Sequence, residues 1–377
     1  MAPSRLPAVF MRGGTSKALI FHARDLPTDR AEWDAIFLSA LGSPDAHGRQ
    51  LNGMGGGISS LSKVCIVAPS NRETSDIDYT FAQVAIKEAH VDYNSNCGNM
   101  SSAVGPFAVD EKIVSPADGE AMVRIFNTNT AKTIHATFRV SGGRAQTEGE
   151  LEIPGVAGRG APIRLDFLDP GGASTGTLLP TGHPVDVLDV PGVGRTEVSM
   201  VDAGNACVFV RAGNLGIVGT EMPDELDRRT EVLAKLAAIR QHASVAMGIS
   251  RSLDEARRKT AIPLIGMVSP TQDSETLSGE RITAPAADLT VRMISNGQPH
   301  RALPLTASVC IAVAAKIAGT TVYGVTSHLG ESGIRLATPS GVLAVSAEIR
   351  KENGRWRVEQ ASLFRTARRL FEGFVYF

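Results

Sequence analysis

Cys97 and Lys63 are the two side chains of this sequence best placed for proton chemistry. Cys97 stands in Asn94-Ser95-Asn96-Cys97-Gly98-Asn99, a polar run leading straight into small residues 98–109 (GNMSSAVGPFAV), which read as a helix. A cysteine at a helix N-terminus meets free N–H groups carrying partial positive charge. Such groups stabilise a thiolate and also bind a carboxylate, and Gly98 lets a ligand approach the backbone. The polar neighbours disfavour an ordinary core position. Lys63 stands in Ser59-Ser60-Leu61-Ser62-Lys63-Val64, at the entrance to an apolar strand. The preceding Gly53-Met54-Gly55-Gly56-Gly57 suits an anion-binding backbone nest. A lysine there is either a solvated strand-edge residue or, in a buried cleft, an amine depressed into the range of a general base.

A second polar cluster is Arg12-Gly13-Gly14-Thr15-Ser16-Lys17. It fails the GxxxxGK[ST] pattern, and its strand–turn–strand setting is wrong for a phosphate loop feeding a helix. No GxGxxG opens a helix after a strand, so no nucleotide cofactor is expected. Thr15, Ser16 and Lys17 form either a tight hairpin or a holder for a substrate carboxylate. Asn96, Gly98 and Asn99 join them as candidate substrate-binding residues. His300 and Thr306 precede a second small-residue helix; His300 either orients a carboxylate or is an exposed turn residue. Cys65, Cys207 and Cys310 sit in apolar runs and read as core.

Composition narrows the partners. The chain has 377 residues, 43% hydrophobic and 20% charged, with formal net charge −1. Length alone favours two domains. No clustered basic surface is available for nucleic acid. The longest apolar stretch, residues 307–315 (ASVCIAVAA), falls far short of the roughly 20 residues that a bilayer core requires. No CxxC, HxH or HExxH occurs, so neither a disulfide framework nor a metal site is expected. No signal peptide is evident at the N-terminus. The reading is a metal-free, cofactor-free cytoplasmic protein with a small-molecule ligand and no membrane partner; a homo-oligomer stays open.

The elements that must position these residues occur twice. Residues 8–21 and 197–210 each read as strand, Gly-containing turn, strand. Each is followed by a polar loop, a helix (29–41 and 224–246), apolar strands (64–68 and 264–268, then 78–86 and 288–294), a small-residue helix (98–109 and 306–318) and a final pair of strands (123–138 and 334–349). Arg124 and Arg335 correspond in that last pair. The order predicts an α+β fold of two pseudo-symmetric halves, each a sheet wrapped around a central helix. The expected domains are 1–184, carrying Lys63 and Cys97, and 185–377, whose last strands are free to return to the first. A cleft between the halves is the expected ligand site. The halves differ chemically: Arg301-Ala302-Leu303-Pro304-Leu305-Thr306 matches the Cys97 stretch without a cysteine, and Ala261-Ile262-Pro263-Leu264 offers no match for Lys63.

The motifs MRGGTSK (11–17), SSLSK (59–63), VDYNSNCGNMSSAVGPFA (91–108) and RTARRLFEG (365–373) together resemble the PrpF family over nearly the full chain. FNTNTAK (126–132), LLPTG (178–182) and VDAGNACVFV (201–210) look like its 3-methylitaconate Δ-isomerase branch. The family is similar in fold to diaminopimelate epimerase. The resemblance implies cofactor-free isomerisation of acids such as 2-methylaconitate, 3-methylitaconate or 4-oxalomesaconate, and puts the family's catalytic lysine and cysteine on Lys63 and Cys97. The epimerase relatives use two cysteines, one per half; the second is missing here, which speaks against racemising an amino acid.

The chemistry these residues suit is a 1,3-proton shift. A base removes an allylic proton beside a carboxylate, and a proton returns at the far end of the allyl system or at the original carbon after rotation. The intermediate's charge requires donors, and Gly98, Asn99, Thr15 and Ser16 are the candidates. Lys63 and Cys97 are the acid–base pair. The nearest rival is cis–trans exchange of 2-methylaconitate; more distant ones are an amino-acid epimerase and a non-catalytic carboxylate-binding protein.

Overall fold

The computed structural model describes residues 4–327 and 333–377. Its contacts divide the chain into two units, Met1–Asp166 with Phe364–Phe377, and Phe167–Leu363. The division expected at residues 184 and 185 lies inside the second unit. The end of the chain belongs to the first because its last strand, Ala367–Tyr376, pairs antiparallel with Arg5–Gly13.

The first unit begins with strands β1 (Arg5–Gly13) and β2 (Ser16–His22), a hairpin closed at Gly14-Thr15. Strand β2 runs parallel to β3 (Lys63–Pro69), so the chain must cross over between them. The crossover carries α1 (Trp33–Leu41), which ends at Gly42 in the left-handed region. Strand β3 pairs antiparallel with β4 (Ile77–Val84). Helix α2 (Gly98–Asp110) lies in the next crossover, between β4 and its parallel neighbour Gly119–Asn127, which turns back as Lys132–Ser141.

Strand alternation decides what each helix meets. Phe10, Leu19, Phe21, Val64, Ile66, Ala82 and Val84 pack with Trp33, Ile36, Phe37 and Leu41 of α1. The alternate residues of these strands face α2, which packs against β1, β2, β3, Gly119–Asn127 and Lys132–Ser141. Every residue of α2 from 98 to 109 is buried. That enclosure explains its small side chains: a Cβ added at Gly105 would lie 3.1 Å from both Ala136 Cβ and the Phe138 ring. It also explains why β3 is apolar on both faces.

The second unit repeats this order. Gly194–Ala203 and Asn205–Arg211 form the hairpin, and Asn205–Arg211 runs parallel to Leu264–Ser269. The crossover helix expected over 224–246 is two helices, Pro223–Arg228 and Thr230–Ala246. They break at Arg229 (φ −89°, ψ 67°), whose guanidinium reaches back to Glu225 at 2.6 Å. Leu264–Ser269 pairs with Leu289–Ser295, which runs parallel to Ile334–Thr338 across a crossover holding the buried helix Leu305–Lys316.

The repeat extends to individual hydrogen bonds. Asp76 receives the Arg124 main-chain N–H at 2.8 Å and Nη2 at 2.7 Å, while Arg124 Nη1 donates to Glu73 O at 3.0 Å. Asp288 receives the Arg335 N–H at 2.7 Å and Nη2 at 2.7 Å, while Arg335 Nη1 donates to Pro285 O at 3.0 Å. Each clamp ties the start of one strand to its parallel neighbour.

Candidate active site

Lys63 is the first residue of β3, on the face toward α2, and only 8% exposed. Its Nζ donates to Gln83 Oε1 at 2.5 Å, directly across the β3–β4 ladder, and lies 5.0 Å from the centre of the Phe81 ring. Gln83 Nε2 donates to Ser59 O at 3.1 Å and Ser62 O at 2.9 Å. Those two carbonyls fix the amide, so only its oxygen can face the amine. Burial pushes the Lys63 ammonium below its ordinary basicity, and the nearby sulfurs, Cys97 first and then Cys65, offset part of that drop. Cys97 is thus within electrostatic reach of Lys63.

Cys97 is the N-cap of α2 in an extended conformation (φ −105°, ψ 93°), with no side chain capping the helix. Its carbonyl accepts from Ser101 N at 3.1 Å and from Tyr79 Oη at 3.5 Å. It is more buried than its polar neighbours suggested, at 9% exposure. Cys65, Cys207 and Cys310 are fully enclosed. Burial pushes the Cys65 thiol and the Tyr79 phenol well up, which keeps both neutral beside the pair.

The hairpin turn meets the same helix end. Asn99 Nδ2 donates to Thr15 Oγ1 at 3.1 Å, and Asn99 Oδ1 accepts from Arg365 Nε at 3.2 Å. Ser16 and Asn96 are buried, the latter accepting from Asn127 Nδ2 at 3.3 Å. Lys17 is not brought to this place. Adjacent strand residues point to opposite faces, so Lys17 lies on the α1 side, its Nζ 5.6 Å from the centre of the Phe10 ring. A groove of about 730 Å³ beside α1, lined by Leu38, Pro44, His47 and Leu51, holds none of the expected residues. Among the described residues no group of three or more His, Cys, Asp or Glu is arranged to hold a metal ion.

The sequence profile of the PrpF protein matches residues 3–377. The chain belongs to the PrpF family. It is 39% identical to a 2-methyl-aconitate isomerase of Shewanella oneidensis, over 98% of this chain and 96% of that one. It is 41% identical to a 3-methylitaconate isomerase of Eubacterium barkeri, over 99% and 97%. Among solved structures, a methylitaconate-delta-isomerase superposes with TM-score 0.80 at 41% identity, covering 100% of this chain and 96% of that one. A hydroxyproline epimerase from Agrobacterium vitis superposes at TM-score 0.57 and 11% identity, covering 99% and 92%, a likeness of fold alone. The fold is the α+β one that the repeat implied, and the diaminopimelate epimerase-like one that the family resemblance implied.

In this PrpF family chain the second unit has no counterpart of Lys63 or Cys97 at matching positions. Lys63 pairs with Ala18, and Leu264 pairs with Cys207 at the same place in the repeat. The helix Leu305–Lys316 is capped by Pro304 where α2 has Cys97. The polar bond at the hairpin persists with its residue types exchanged: Asn205 Nδ2 donates to Thr306 Oγ1 at 2.9 Å. His300 lies just before that helix, its Nδ1 accepting from Ala302 N at 3.1 Å. Sequence reasoning missed Gln83 and Arg365. Gln83 was visible as a lone amide in Phe81-Ala82-Gln83-Val84, and Arg365 opened the RTARRLFEG motif without a role.

Proposed function

We propose that this chain catalyses a 1,3-proton shift in a small unsaturated di- or tricarboxylate, with Lys63 and Cys97 as its acid–base pair. One observation carries the reading. A buried lysine, depressed by desolvation, shares its surroundings with a cysteine at an uncapped helix start. A depressed amine is neutral at a lower pH and can accept a proton from carbon. The amides of Gly98, Asn99 and Met100 face the charge that develops on the carboxylate oxygens. One member of the pair takes the allylic proton, and the other returns one. Thr15, Ser16 and Asn96 support this site; His300 and Thr306 are kept as candidate carboxylate holders.

The relatives named for 3-methylitaconate and 2-methyl-aconitate are almost equally similar, so the class of acid is the conclusion. Within it, 3-methylitaconate and 4-oxalomesaconate are the first candidates for a double-bond shift, with cis–trans exchange of 2-methylaconitate as the second reading. All four cysteines are free thiols, which supports a reducing compartment such as the cytoplasm.

The test is ¹H NMR in D₂O with each acid in turn. The expected product carries deuterium at an allylic carbon, and Lys63→Ala or Cys97→Ala lowers turnover by at least about 10²-fold with the fold retained. A variant that exchanges the allylic proton without forming product identifies the remaining member as the base. Wild-type rates in both variants would remove the pair from the chemistry.

A further inference from the structure

We propose that Arg365 is a carboxylate anchor for the substrate, set beside the start of α2 and selecting acids with a second carboxylate. The inference rests on the isomerase reading for its substrate class. It starts from a buried charge without a counter-charge. Arg365 is 3% exposed and forms no ion pair among the described residues. Its Nε donates to Asn99 Oδ1 at 3.2 Å and its Nη1 to Phe364 O at 3.0 Å, while Nη2 donates to no described group. Burial alone pulls its basicity down, to about 10.

Two other arginines, the buried Arg292 and the partly buried Arg369, are handled differently. Arg292 donates to three carbonyls, of Glu221, Val291 and Thr220, and the Glu221 carboxylate offsets its burial. Arg369 has Glu111 at 2.7 Å and Glu372 at 2.5 Å. A guanidinium buried without an anion is costly for the fold unless something else requires it.

Its position supplies the requirement. Asn99, which orients it, is the second residue of α2, two positions after Cys97. The next residue, Thr366, is tied to the hairpin turn: its carbonyl accepts from Gly14 N at 2.9 Å and from Arg12 Nη1 at 2.8 Å. The guanidinium is therefore held from both sides, at Nε by Asn99 and along its backbone by the turn. Helix amides and a guanidinium fork side by side suit two carboxylates of one acid. The α2 amides take the carboxylate next to the reacting carbon, and Arg365 takes the other.

The experiment compares wild type with Arg365→Met and Arg365→Lys. Thermal melting is followed without ligand and with tricarballylate, a saturated tricarboxylate that cannot isomerise, and with butanoate as the monocarboxylate control. Tricarballylate, but not butanoate, is expected to raise the wild-type melting temperature. Arg365→Met is expected to lose that shift while melting no lower than wild type without ligand, because an unpaired buried charge has been removed. KM for the acid that turns over should rise at least about 30-fold in Arg365→Met and less in Arg365→Lys, with kcat changed much less. An unshifted wild type, tricarballylate binding that survives both substitutions, or a fold destabilised with KM unchanged would each overturn the anchor. Arg365-dependent tricarballylate binding without turnover of any acid would instead leave the anchor standing and remove the isomerase reading.

Discussion

Lys63 shows how one residue can be held against its own stability. Below its folded pKa both folded and unfolded chains carry the ammonium, and the folded chain bears the full burial penalty. Between that value and the ordinary 10.5 the folded chain alone releases the proton, so the penalty fades as pH rises. Above 10.5 both are neutral and nothing remains. Lys63→Met, similar in length and apolar, is therefore expected to be more stable than wild type at neutral pH. The gap should narrow as pH climbs toward the ordinary lysine value, as read by urea unfolding across the alkaline range. A gap that stays constant or widens would show that Lys63 does not enter the fold as a depressed amine. Gln83 contributes the other half of the device: an amide oxygen accepts from the amine without adding the negative charge that would keep it protonated.

At the scale of elements, the close contact between the β1–β2 turn and the start of α2 holds the site together. Gly14 has φ +50°, and a Cβ there would stand 2.2 Å from Asn99 Oδ1. Gly14→Ala is therefore expected to destabilise the chain by about 1–3 kcal/mol and to displace Asn99, which orients both Thr15 and Arg365. Chemical denaturation and KM together check this: stability and affinity should fall in the same variant. The alternation of β2 gives the complementary lesson. Ser16 and Lys17 are adjacent in sequence, yet only Ser16 is on the face toward α2, so a motif read as one cluster is split by the strand's period of two.

For the whole molecule, the duplicated Asp–Arg clamps show that the two units share one plan and differ in how deeply it is buried. The Asp288 side chain is 3% exposed and that of Asp76 is 26% exposed. Removing a buried partner leaves its donors unsatisfied, whereas water replaces an exposed one. Asp288→Ala is expected to cost about 1–3 kcal/mol, because it leaves the Arg335 main-chain N–H without its acceptor, and Asp76→Ala less. Urea unfolding of the two variants measures the difference; equal losses would mean that the clamps owe nothing to burial. The same plan, with Leu264 and Pro304 where the first unit has Lys63 and Cys97, gives the proposed acid–base pair to one unit only.

Much was legible in the chain itself. Hydrophobic periodicity determined the strands, the small-residue helices and their repetition, because burial imposes a period of two on strands and leaves room only for small side chains where a sheet surrounds a helix. The polar run before residue 98 determined that Cys97 stands at the start of a helix, since where a helix begins is a local matter. Tertiary structure alone decided what came from far along the sequence. It put Gln83 opposite Lys63, turned Lys17 away, and carried Arg365 back across most of the chain to Asn99. Strand register and burial set those meetings, and neither is written in any short stretch of residues.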